Sequence, residues 1–93
     1  MFIGSCIVTF RAEWVASLKE KRMIVKSLIA KSRNKFNISV AEVDMQDVHQ
    51  VIVIGFSAVS NSKSHLDDIT ENVIAFFENN TDAVITDIEK EIL

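Results

Sequence analysis

The chain has 93 residues, 48% of them hydrophobic and 25% charged, with a net charge of −3. Those values exclude a disordered chain and leave room for one modest core in one domain, residues 1–93. No apolar run reaches the roughly 18 residues of a membrane helix, the start lacks a signal-peptide pattern, and one cysteine makes no internal disulfide, so the reading is a cytoplasmic protein.

Residues 2 to 10 alternate with period two, which predicts a strand with Phe2, Gly4, Cys6, Val8 and Phe10 toward the core. Ser17 followed by Glu20 is a capping box at a helix start. From there Leu18, Val25, Leu28, Ile29 and Phe36 fall on one arc of a helix ending near Lys35. Lys21 lies inside that apolar arc, and its stem is expected to pack while its ammonium snorkels to water. Residues 37 to 43 are rich in β-branched side chains and read as a strand, and "DMQDVHQ" is a polar turn that Asp47 would cap. Residues 51 to 59 are apolar on both faces, as in a central strand. Ser62 or Ser64 caps a second helix carrying Leu66, Ile69, Val73 and Phe76, and "ENNTD" ends it. Asp67 and Asp68 are expected to favour its positive N-terminal end, with His65 exposed beside them. Residues 83 to 93 form a last strand with Val84, Thr86 and Ile88 on one side.

The order βαββαβ in so short a chain predicts the ferredoxin-like α+β sandwich, a four-stranded antiparallel sheet with two helices on one face and strands one and three in the middle. Such a fold leaves the activity open.

Charge is distributed unevenly. Residues 19 to 35 carry seven of the ten basic residues and one acid, a net of +6, whereas residues 67 to 93 carry a net of −7. At 100° per residue Lys19, Arg22, Lys26 and Arg33 share a stripe about 60° wide beside the apolar arc. That stripe could neutralise phosphates of a nucleic acid, pair with Asp67, Asp68, Glu71 or Glu78 of the second helix, or simply be solvated.

The open sheet face is expected to carry Ile3, Ser5, Ile7, Val51, Val53 and Gly55. It offers no aromatic ring for base stacking and is a candidate homodimer surface unless the C-terminal tail covers it. Asp44, Asp47 and His49 match no recurrent metal-ligand spacing. No catalytic motif or cofactor-binding loop occurs, and Cys6 reads as core. An alternative reading is a small-molecule-binding or catalytic homodimer with its pocket near the Asp44 to Gln50 hairpin.

"SLKEKR" at helix one, "FNISVAEV", Gln46-Asp47 with Gln50 beyond, and "VSN" ending in Asn61 resemble the YlxP-like family, small bacterial proteins of unknown function. The resemblance covers nearly the whole chain and implies a ferredoxin-like fold, a cytoplasmic location and no assigned activity. It marks Ser17, Glu20, Gln46, Asp47, Gln50 and Asn61 as motif residues of unassigned role. Family genes commonly lie near those of transcription and translation factors, which implies an RNA or ribosome-associated partner. One departure is His49, where the family pattern carries tryptophan; the only tryptophan here, Trp14, precedes helix one.

Overall fold

A computed structural model describes residues 1–93. The elements are β1 (Phe2–Arg11), α1 (Leu18–Lys35), β2 (Ser39–Asp44), β3 (Val51–Ser60), α2 (Lys63–Asn80) and β4 (Val84–Ile92). The four antiparallel strands lie in the order β2-β3-β1-β4, so the two most apolar strands occupy the middle as expected.

The alternation of β1 is realised: Gly4, Cys6, Val8 and Phe10 are buried, while Ile3 and Ile7 stand on the other face. Both helices cover the first set. Val25 and Leu28 of α1 and Val73, Ile74 and Phe77 of α2 join Val8, Phe10, Ile52, Ile54 and Phe56 in one core. Phe77 meets Phe10 and Phe56 edge-on, each at 5.8 Å between ring centres, a geometry that places positive ring edges over negative ring faces.

The helix ends follow local hydrogen bonding. Ser17 Oγ accepts from the Glu20 amide at 3.2 Å. Glu20 Oε2 accepts from the Ala16 amide, one residue before the cap, at 3.2 Å. Two otherwise unpaired N–H groups are thereby satisfied. At the far end Phe36 donates to the Ser32 carbonyl at 2.9 Å, and Arg33 and Lys35 supply positive charge where the helix dipole is negative. For α2 the cap is Ser62, which accepts from the His65 amide at 3.3 Å. The helix begins at Lys63, so its first turn holds no acid and Asp67 and Asp68 lie beyond the dipole's reach.

Two bulges change what the strands present. On β4, Thr9 faces Asp87 but Phe10 faces Ile85, leaving Thr86 as the extra residue. The expected side of Val84, Thr86 and Ile88 is therefore split: Ile85 and Ile88 turn to the helices, and Val84 turns away. On β2, Glu42 faces Ile54 and Asp44 faces Val53, so Val43 is the extra residue and its side chain folds over the open face. A Cβ added to Gly55 would sit 2.9 Å from Val43 Cγ1, so this close approach explains the glycine in a central strand.

Candidate functional site

Helix α1 sorts its lysines and arginines into two kinds. Lys21 is fully buried rather than snorkelling. Its Nζ donates to the carbonyls of Met45 at 2.6 Å and Val48 at 2.7 Å. Glu42 Oε2 lies 3.0 Å away, close enough for charge pairing although not aligned as a hydrogen bond. The reason is reach: Lys21 faces the β2–β3 hairpin, whose turn carbonyls point inward, so the ammonium finds acceptors before it finds water. The same bonds hold Met45 in a left-handed backbone conformation, φ 54°, that a non-glycine residue adopts at a cost of about 1–2 kcal/mol. Met45 O also accepts from the Val48 amide at 3.1 Å, closing the turn. The expected Asp47 cap is not formed; Asp44 Oδ1 instead accepts from the Met45 amide at 2.8 Å.

The stripe residues Lys19, Arg22, Lys26 and Arg33 are all exposed. The three ion pairs of the molecule, Arg11–Glu13, Lys21–Glu42 and Lys90–Glu71, include none of them. Of the three alternatives for the stripe, pairing with α2 fails for a geometric reason. Lys31, on the opposite flank of α1, borders a cleft with Glu78 and Asp82, so that flank meets α2. Arg33, on the stripe flank, reaches the β2 edge, where its Nη2 donates to the Val40 carbonyl at 3.2 Å. The stripe thus lies on the side of α1 away from the α2 carboxylates. Of those, Glu71 is taken by Lys90 of β4.

The motif residues separate in space. Gln50 ties the hairpin to the loop before α1, its Nε2 donating to the Glu13 carbonyl at 3.2 Å while its own carbonyl accepts from the Ala12 amide at 2.9 Å. Gln50, Ser17, Glu20 and the hairpin therefore share one end of the sandwich. Gln46 and Asp47 are exposed at the hairpin tip, and His49 is half-buried. Asn61 is exposed at the opposite end, between β3 and α2. Trp14 is 49% exposed and borders a cleft with Met23 and Ile24 of α1 and Asp82 of the α2–β4 loop.

The open face carries Ile3, Ser5, Ile7, Val51, Val53 and Gly55 as expected, without an aromatic ring, although Val43 lies over Gly55. The C-terminal residues do not cover it: Leu93 exchanges backbone hydrogen bonds with Ile3 at 2.8 and 2.9 Å and continues β4 at the sheet edge. Sequence reasoning missed what β4 adds to this face. Glu91, Glu89 and Asp87 lie beside Ser5, Ile7 and Thr9, an acidic row readable from their i, i+2, i+4 spacing.

Cys6 is buried on the helix side opposite Lys90. Burial pushes its thiol above the ordinary 9.0, the Lys90 charge opposes that rise, and the Glu71 carboxylate adds to it. A thiol held neutral in this way is a poor nucleophile. Lys90 is itself raised above 10.5, chiefly by its hydrogen bond to Glu71. No cluster of three His, Cys, Asp or Glu side chains is placed to hold a metal ion. No helix is long and apolar enough to cross a membrane.

Comparison with known proteins fits this architecture. The chain is 39% identical over 62 residues to the uncharacterized protein YlxP of Bacillus subtilis (strain 168), covering 67% of each chain. A de novo designed protein with a ferredoxin fold, solved by NMR, aligns over 99% of this chain and 84% of its own at TM-score 0.56 and 11% identity. The designed protein Foldit4 aligns over 99% and 94% at TM-score 0.52 and 9% identity. Such designs share the fold alone. Residues 3–90 match the family described as "Protein of unknown function (DUF503)", and with the YlxP likeness this shows that the chain belongs to that family, on a ferredoxin-like fold.

Proposed function

We propose that the chain is a non-catalytic binding module that contacts RNA, or an RNA-bearing partner such as a ribosome, through the exposed flank of α1. The observation that carries this reading is the absence of any carboxylate partner for Lys19, Arg22, Lys26 and Arg33 within the molecule. Arg22 and Lys26, four residues apart, repel each other by a few tenths of a kcal/mol, and nothing internal relieves that repulsion. A phosphate backbone would, and the release of its counterions would supply affinity. The aliphatic open face gives no stacking platform, so the contact is with the backbone and tolerant of sequence. Arg33 contributes while anchored on the Val40 carbonyl, which limits its side-chain freedom.

The test is a titration of single-stranded RNA at several salt concentrations. Arg22→Glu with Lys26→Glu should weaken binding and lower the slope of log K against log salt by about 1.4, or about 0.7 per lost phosphate contact on a single strand. Binding that persists with an unchanged slope, in a variant whose circular dichroism is native, would overturn the proposal.

A further inference from the structure

We infer that the open face of the sheet is a docking surface for a basic, aliphatic-bearing peptide segment of another protein. The face is partnered by no element of the chain, because both helices pack on the other side. It is also not flat. Ile7, Val51 and Val53 form the floor of a depression of about 360 Å3, with Asp87 and Glu89 on one wall and Asp44 on the other. The strand order places Asp44 on β2 and Asp87 on β4, three strand spacings apart, or about 14 Å, enough to admit one extended chain with its side chains.

Charge decides the occupant. Asp44, Asp87, Glu89 and Glu91 have no cationic partner within the molecule. The one cation of this face, Arg11, is held by Glu13. A second copy stacked face to face about a two-fold axis would set the β4 carboxylates over β4 of its mate, or over β2 with Asp44. Either arrangement buries carboxylates against carboxylates or uncharged side chains, and such charges are costly to bury unpaired. A segment with lysine or arginine alternating with leucine or valine meets both needs: its aliphatic side chains cover Ile7, Val51 and Val53, and its cations reach the two walls. This surface lies on the sheet and the α1 stripe lies on a helix of the opposite layer, so the inference stands apart from the RNA proposal.

The experiment is fluorescence anisotropy with a labelled peptide of alternating lysine and leucine against the full chain. Controls are an alternating glutamate–leucine peptide and a lysine–serine peptide. The lysine–leucine peptide should bind most tightly. Asp87→Asn with Glu89→Gln should weaken it about five- to tenfold, the range expected for two exposed ion pairs, and Asp87→Lys with Glu89→Lys should weaken it further. These positions are exposed, so both variants should keep the native circular dichroism. Asp87→Asn with Glu89→Gln should leave the salt slope of RNA binding unchanged, whereas Arg22→Glu with Lys26→Glu should leave peptide binding intact. Equal binding of the glutamate peptide, or affinity unmoved by both variants, would overturn the inference. So would a concentration-dependent dimer whose β1 and β3 amides gain hydrogen-exchange protection, for then a second copy is the occupant.

Discussion

Lys21 and Arg22 are chain neighbours on one helix, and the fold uses them in opposite ways. Lys21 is enclosed, with two carbonyls and a carboxylate around its ammonium. Arg22 stands in solvent with no acid partner. One step of 100° separates a group that holds the β2–β3 hairpin from a group available to a polyanion. Net charge over the segment cannot tell these apart; the position on the helix relative to the sheet does.

The largest effect should come from breaking the enclosed member. Lys21→Met removes the ammonium that bonds the Met45 and Val48 carbonyls and leaves the Glu42 carboxylate without its cation, and should cost about 3–5 kcal/mol, measured by urea denaturation. Lys19→Glu, Arg22→Glu or Lys26→Glu should each stay within about 0.5 kcal/mol of wild type. A loss of comparable size at Arg22 would erase the contrast. Next in size is Gly55→Val, which pushes against Val43 and should cost about 1–3 kcal/mol by displacing the bulge. Double substitution with Val43→Ala should recover part of that loss, and full additivity would show that the two do not touch.

Smaller again is the effect of Met45→Gly. It removes the side chain from a backbone conformation that suits glycine and should change stability by less than about 1 kcal/mol, while Lys21→Met at the same hairpin remains severe. The smallest effect is alkaline. Cys6 and Lys90 both bind their protons more tightly folded than unfolded, so their contributions are complete below pH 9.0 and 10.5 respectively and fade as pH rises through the raised folded values. Urea midpoints should therefore fall above pH 9.0, and Cys6→Ala should flatten the first part of that decline.

The two regions also differ in how far the amino-acid order discloses them. The β1 alternation survives because one side of the strand is fully covered by helices and the other is not, so burial follows period two directly. The α1 stripe is legible for the same reason, since an exposed helix surface obeys its 3.6-residue period. Its lack of partners is not legible, because that depends on which flank of α1 meets α2. The place of Lys21 in the apolar arc was visible, but its depth was not, because the acceptors come from a turn more than twenty residues away. The β4 phase was misjudged because a bulge at Thr86 shifts the period by one residue, and no local preference announces it.

Asp87, Glu89 and Glu91 share one side of β4, an edge strand of the sheet. If two molecules met edge to edge about a two-fold axis, antiparallel pairing would bring acid opposite acid in any register centred from Asp87 to Glu89. Like charges directly across a ladder are destabilising, so the strand discourages its own polymerisation. Neutralising the row, as in Asp87→Asn with Glu89→Gln and Glu91→Gln, removes that safeguard, and stocks of the variant should scatter light as protein concentration rises.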